Sequence, residues 1–478
     1  MTDTSIHGEW SSKFGFILAA TGSAVGLGNI WKFPYMVGEY GGGAFVIFYL
    51  LCVALLGLPI MMAEVLLGKR GKLSPINSMR AITQNAQVSS RWQIIGWLGV
   101  LTGFLILSYY SVIAGWALAY IPRLALGTFS SINELPPDQM LQFVKTIFSN
   151  LISDPERLLA WHSIFMGATV IVIAYGVEAG LEKSLRFMMP ALFALLFILL
   201  GYSMVNGDFI AGFHFMFDID FHRFFYPHCT PTACEFNGEA PLAAMGQAFF
   251  TLSLGMGAIM VYGAYLPKHA KIGEITAIVV IADTFVALLA GLIIFPIVFS
   301  NGLEPNQGVG LVFHTLPIAF GKMLGGNIFG ALFFLLLVLA AWSSAISIIE
   351  PVVAWLIESK KMSRLSAALL CGGIAWMVGF VTILSFNLWQ EVKLLPMIPL
   401  LADKTPFDLI DFFTSNLMLP VGGLLIALFV GWILPAHIVS EGLELTENQL
   451  KYRFFRFLLR FIAPLGIGLV LLNLVGIL

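Results

Sequence analysis

Gly22-Ser23-Ala24-Val25-Gly26-Leu27-Gly28-Asn29 lies at the centre of an apolar run from residue 13 to 37. Each glycine costs a helix interior about 1 kcal/mol against alanine, and this stretch adds Ser23 and Asn29 to its glycines. A second stretch, Thr251-Leu252-Ser253-Leu254-Gly255-Met256-Gly257, repeats the pattern at the centre of the run 242–266. Both are candidate unwound segments. Unpaired backbone groups are expensive in hydrocarbon, so unwinding is tolerated only where the backbone lines a cavity or binds something. For either break alone, close packing through small residues is the competing reading. Two breaks with polar residues inside both favour a binding site.

These runs belong to a larger set. The chain has 478 residues, 59% hydrophobic and 11% charged, with a mean hydropathy of +0.90. Soluble domains carry about 25% charged residues, so an ordinary soluble enzyme is excluded. Eleven apolar runs fill most of the chain: 13–37, 44–68, 94–122, 160–177, 185–205, 242–266, 274–299, 325–357, 365–385, 407–435 and 456–477. Each can cross a bilayer core about 30 Å thick. The segment 304–320, punctuated by Pro305 and Pro317, predicts a surface helix in a loop. Net charge is −2 with no long basic or acidic run, which leaves no footprint for nucleic acid. The reading is an all-α polytopic membrane protein in a lipid bilayer.

Basic residues orient it. With the N-terminus inside, 17 of the 25 Lys and Arg fall on the cytoplasmic side, among them Lys69, Arg70, Lys72, Lys271, Arg364 and Lys451. The positive-inside rule then predicts a cytoplasmic N-terminus and an external C-terminus in the cell's inner (plasma) membrane. The long connections 123–159 and 206–241 fall outside, and no cleavable signal peptide is expected. No polar linker divides the chain, so one membrane domain is expected over 1–478. It comprises a cytoplasmic leader at 1–12, ten spans over 13–435 and an added span at 456–477. The two breaks lie five spans apart, the arrangement of a 5+5 inverted repeat with unwound helices 1 and 6.

Few residues carry other chemistry. Cys52 and Cys371 lie inside apolar spans and read as core packers. Cys229 and Cys234 share an external loop where an oxidising compartment permits a disulfide, and their pairing stays open. No Cys/His set has metal-ligand spacing and no nucleophile–base set stands out, so no enzyme is expected. Asp283 is different: an ionisable residue inside an apolar span is a functional candidate by default, against the plainer reading of a packed, hydrogen-bonded carboxylate.

Gly22 through Pro34 is similar to the first-helix signature of the neurotransmitter:sodium symporter family. Gly41-Gly42-Gly43-Ala44-Phe45, Gly57-Leu58-Pro59 with Glu64, Tyr109-Tyr110 before Trp116, and Gln247 through Gly255 extend the resemblance from Trp10 to about the tenth span. It is strongest to the prokaryotic amino-acid branch with the leucine-transporter-like fold. The resemblance implies one sodium site at Ala24, Asn29, Thr251 and Asp283, where Asp283 stands in place of the family's asparagine. That carboxylate would supply the negative charge and make transport independent of chloride. A second sodium site is implied at Gly22, Val25, Ala340, Ser343 and Ser344. Hard monovalent cations take oxygen ligands, which unwound carbonyls and hydroxyls supply.

For the substrate, the amides of Leu27 and Gly28 open a helix N-terminus that favours a carboxylate, with the Tyr110 hydroxyl beside them. Carbonyls of Ala24, Phe250 and Thr251 and the Ser253 hydroxyl are expected at the amino group. Ile106, Phe250, Met256, Ser344 and Ile348 form an uncharged side-chain pocket. Amine-transporting relatives carry Asp where this chain has Gly26, which points to an amino acid bringing its own carboxylate. The family also implies an outer gate of Lys32 with Asp411 and an inner gate of Trp10, Tyr265 and Glu358, with His7 in the place of a basic partner, so that either Lys13 substitutes or the inner gate is pH-sensitive. Gly180 and Pro190 predict local unwinding of the fifth span, or an ordinary proline kink. The expected activity is symport of branched aliphatic and aromatic L-amino acids with two sodium ions, by a monomer or weak dimer. The alternative cargo is a small neutral solute such as proline, glycine or betaine.

Overall fold

The computed structural model describes residues 10–226, 236, 238–267, 270–305 and 310–474, and all regular structure among them is helical. Nine of these helices are long and apolar enough to cross a membrane, and a pair bent by 52°, Lys13–Ala24 with Gly28–Glu39, makes a tenth. We number the bent pair α1, followed by α2 (Gly43–Gly71), α3 (Ser90–Ala125), α4 (Pro155–Ala174) and α5 (Val177–Asn206). The run expected at 242–266 is α6, two helices, Glu239–Thr251 and Ala258–Ala264, on either side of its break. Then come α7 (Ile272–Ser300), α8 (Gly326–Lys360), α9 (Arg364–Ser385), α10 (Pro406–Ile433) and α11 (Leu450–Leu474). All eleven expected spans therefore have a helical counterpart.

Local chemistry sets several helix starts. Asp154 accepts from the amides of Glu156 and Arg157, both at 3.1 Å, with Pro155 opening α4. Thr405 and Asp408 form a reciprocal capping box at the start of α10. Such caps satisfy donors that a helix start leaves unpaired. The halves meet as a five-plus-five repeat requires: α3 packs along α8, and the two segments of α1 pack against those of α6.

Two expectations change. The segment predicted to lie on the surface forms helices Leu311–Thr315 and Leu316–Lys322, and it is buried. Phe313 is fully enclosed and meets the rings of Trp31, Trp116, Tyr120, Phe148 and Phe334. Its apolar residues surround the helix and leave no polar face wide enough for solvent. The fifth span is wound throughout 177–206, with Pro190 inside it. Its first turn, Val177–Glu182, is π-wound, and the amides of Gly180 and Leu181 both donate to the Gly176 carbonyl. That wider winding re-pairs the backbone, so the unwinding expected between Gly180 and Pro190 is not present in this conformer.

Cys52 is half-buried and Cys371 buried, both as free thiols. Cys229, Cys234 and His7 lie outside the described residues.

Candidate functional site

The breaks face each other. In α1 the winding stops at Ala24 and resumes at Gly28. In α6 it stops at Thr251 and resumes at Ala258, with Ser253, Gly255 and Gly257 at φ of +53°, +81° and +75°. Two side chains hold the gap open. Glu64 of α2 accepts from the Gly255 amide at 2.5 Å, and Gln247 donates to the Gly28 carbonyl at 2.8 Å. The Ser253 hydroxyl donates to the Ser23 carbonyl at 3.1 Å, tying one break to the other.

Three of the four residues expected at the first sodium site converge through their side chains. Asn29 Nδ2 donates to Thr251 Oγ1 at 2.8 Å and to Asp283 Oδ1 at 2.7 Å. Thr251 donates to Asp283 Oδ2 at 3.0 Å, and the Gly26 amide donates to Asn29 Oδ1 at 2.9 Å. Ala24, the fourth, ends the first segment of α1 two residues before Gly26. Asn29, Thr251 and Asp283 are buried, and the hydrogen-bond partners of the Asp283 carboxylate among the described residues are neutral. Burying a carboxylate without a compensating charge is strongly unfavourable, and a small hard cation among these oxygens would remove that cost.

The second expected set also comes together. Ser344 donates to the carbonyls of Val25 at 3.0 Å, Ser23 at 3.4 Å and Gly22 at 3.5 Å. Ser343 reaches the carbonyls of Ala340 at 3.0 Å and Val25 at 3.4 Å. Gly22 has no room for a side chain, since a β-carbon there would lie 2.9 Å from Leu185 and 3.0 Å from Met189 of α5. Ser343 Cβ of α8 lies 3.4 Å from the same position, so the missing side chain lets α1 sit close to α5 and α8 together.

Between these clusters, the Leu27 amide donates to the Tyr110 hydroxyl at 3.2 Å. A β-carbon on Gly26 would stand 2.6 Å from Ser344 Oγ and 2.9 Å from Tyr110 OH, so any side chain there closes the gap. Gly103, Ile106 and Tyr110 share one face of α3 at helical spacing. Gly103 meets Met256 of α6 and Ile348 of α8, a β-carbon there lying 3.2 Å from the Met256 carbonyl and 3.4 Å from Ile348 Cγ2. Of the walls expected for a hydrophobic side chain, Met256 and Ile348 therefore meet at Gly103, a residue that sequence reasoning had not included.

The outer gate differs from expectation in detail. Lys32 sits over the Phe250 ring, 4.1 Å from its centroid, and is not ion-paired to Asp411, which accepts from Ser415 at 2.9 Å. The aromatic face and a neighbouring hydroxyl each satisfy one member of that pair. At the other end Lys13 is ion-paired to Glu274 at 2.8 Å, and Trp10 lies on the backbone of α6. The Trp10 backbone amide donates to the Tyr265 carbonyl at 3.1 Å and its indole N–H to the Tyr262 carbonyl at 3.2 Å. Glu358 accepts from the Ser74 amide and hydroxyl and from Asn77, at 2.7, 2.5 and 2.7 Å.

Sequence reasoning missed a pair at this end. Tyr265 donates to Glu350 at 2.8 Å, and Arg364 donates to the other oxygen of the same carboxylate at 2.6 Å. It also missed Glu182, which takes the Ser11 amide at 3.0 Å, the Ser11 hydroxyl and Arg186 at 2.7 Å. The rule that singles out Asp283 applies equally to Glu64 and Glu350, both fully buried in apolar spans.

The chain as a whole was compared with known proteins. A model of the sodium:neurotransmitter symporter family matches residues 7–136 and 145–477. An uncharacterized sodium-dependent transporter of Bacillus subtilis, YhdH, is 37% identical over 472 residues, 98% of each chain. The sodium- and chloride-dependent glycine transporter 2 of Xenopus laevis is 23% identical across 97% of this chain and 63% of its own. The crystal structure of MhsT in complex with L-phenylalanine superposes with a TM-score of 0.84 at 39% identity, covering 98% of this chain and 99% of that one. With two facing helix breaks and a family match over nearly its whole length, the chain belongs to the sodium:neurotransmitter symporter family and has the leucine-transporter-like fold.

Proposed function

We propose that this symporter carries hydrophobic L-amino acids into the cell, each with two sodium ions and without chloride. The observation that carries the reading is Asp283, a buried carboxylate with neutral hydrogen-bond partners beside Asn29 and Thr251. It supplies at the first sodium site the negative charge that a chloride ion would otherwise provide. The serine–carbonyl cluster of Gly22, Val25, Ala340, Ser343 and Ser344 would hold the second ion.

An amino-acid carboxylate would insert between the Leu27 amide and Tyr110, touching the first sodium, while its side chain fills the space among Gly103, Ile106, Met256 and Ile348. The absence of a side chain at Gly26 supports a cargo that brings its own carboxylate, and the phenylalanine in the MhsT complex agrees with an apolar side chain. Asp411 and Lys32 would close the outer side over a bound substrate. The distribution of basic residues supports a cytoplasmic N-terminus, and uptake into the cell implies the plasma membrane.

Two ions make energetic sense. Each sodium moving down about 100 mV gains roughly 2.3 kcal/mol, and a tenfold gradient adds about 1.4 kcal/mol. Two ions supply roughly 7 kcal/mol, enough to concentrate a neutral cargo about 10⁵-fold, whereas one allows only a few hundredfold. The test is uptake of radiolabelled tryptophan and leucine into proteoliposomes, with sodium or potassium outside and chloride or gluconate as anion. Saturable uptake that needs sodium and ignores chloride is expected. Uptake blocked by excess proline, glycine or betaine but not by phenylalanine would return the cargo to a small neutral solute.

A further inference from the structure

A groove on the flank of the molecule lies apart from the transport path. Its volume is about 590 Å³, between α2, the start of α7, the connection before α11 and the first turns of α11. The trough is apolar, with Leu58, Met62, Leu443, Phe455 and Leu458 among its walls, and its rim is ionic: Lys271, Glu274, Glu444 and Lys451. The two acids are already neutralised from outside the groove. Lys13 holds Glu274 at 2.8 Å and Lys69 holds Glu444 at 3.4 Å. The side chains of Lys271 and Lys451 are exposed and have no ion-pair or hydrogen-bond partner among the described residues. Two exposed cations thus stand at the mouth of an apolar trough, where two membrane helices begin, with Glu274, already ion-paired to Lys13, the acid nearest in effect to Lys271.

A soluble anion gains nothing from the trough, and a neutral apolar molecule gains nothing from the lysines. A molecule with both parts gains from each. We propose that the groove binds an anionic phospholipid, its phosphate between Lys271 and Lys451 and an acyl chain along Leu58, Met62 and Leu458. Basic pockets between membrane helices favour anionic headgroups, and long lysine stems reach the headgroup level while lying on apolar surface. A choline headgroup would bring a third cation to the two lysines and is disfavoured.

The site is also tied to the start of α1. Lys13, the first residue of α1, is the ion-pair partner of Glu274 at 2.8 Å, with Lys271 a weaker second influence. Withdrawal of α1 would bare a carboxylate beside the bound phosphate. Headgroup binding and the seating of α1 therefore favour each other, as linkage requires.

The experiment is native mass spectrometry of the full-length protein with equal amounts of phosphatidylglycerol and phosphatidylcholine bearing matched chains. The wild type is expected to retain phosphatidylglycerol at least about fivefold over phosphatidylcholine, given the contribution of each lysine near an anionic surface. Lys271→Ala with Lys451→Ala should abolish the preference, and the paired Lys→Arg variant should keep it. Lys13→Ala, which bares Glu274, should weaken phosphatidylglycerol retention alone. Equal retention of both lipids by the wild type, or an undiminished preference in the double alanine variant, overturns the proposal.

Discussion

Gly26 has to lack a side chain, because Ser344 and Tyr110 already stand within 3 Å of where a β-carbon would go. Overpacking of this kind costs about 1–3 kcal/mol. Gly26→Ala should therefore push Tyr110 off the Leu27 amide and weaken apparent substrate affinity about tenfold or more, read from the concentration dependence of uptake. Asp283 is the second decisive residue. Asp283→Asn removes the buried charge while keeping the shape, so half-maximal uptake should need about tenfold more sodium, or uptake should become chloride-stimulated. Unchanged responses to both ions would remove Asp283 from the sodium site. Both residues are visible in the string, one as a glycine among polar neighbours and one as a carboxylate in an apolar run. The position of Lys32 is not, because the choice between the Phe250 face and Asp411 is made by side-chain rotation within one local environment.

At the scale of the element, the break in α6 is held by backbone geometry that few residues adopt. Gly255 has φ of +81°, and a β-carbon there would lie 2.7 Å from the Leu419 carbonyl and 3.2 Å from the Gly423 amide of α10. Gly255→Ala meets both a left-handed backbone and a closed space, and should destabilise by about 1–3 kcal/mol. Gly246, in the first segment of the same helix, has nothing within 4 Å of its β-carbon position. Gly246→Ala should be neutral or stabilise by up to about 1 kcal/mol. Thermal unfolding of the two purified variants checks the contrast, and a matching loss of stability in both would show that the break is not under this constraint. The existence of the break was legible in composition. Its support by Glu64 was not, since α2 meets it from almost two hundred residues away.

For the whole molecule, the two ends are unequally fastened. At one end Trp10 lies on Tyr262 and Tyr265, Tyr262 meets Ser347 at 2.8 Å, and Glu350 joins Tyr265 to Arg364. At the other, Lys32 and Asp411 are not ion-paired. In the proposed symport these two closures would open in turn, so weakening one should populate the opposite state. Glu350→Ala strands the half-buried Arg364, and breaking a buried pair costs about 3–5 kcal/mol. Thiol labelling of Ser347→Cys, in a background with Cys52, Cys229, Cys234 and Cys371 replaced, should then speed up while uptake falls. Labelling at the original rate would mean that Glu350 does not hold this end shut.

The sequence by itself determined the number of spans, their bounds to within about eight residues, the two breaks and the oxygen-bearing residues inside them. A bilayer imposes a nearly one-dimensional rule: an apolar run of sufficient length crosses, and a glycine-rich interruption within it needs a reason. Only the tertiary structure decided which distant groups meet. It buried Leu311–Lys322 beneath aromatic rings, joined Glu350 to Arg364 and Glu182 to Ser11, and turned Lys32 onto Phe250. Those pairings depend on how helices pack and how side chains rotate, and neither is a property of any local stretch of chain.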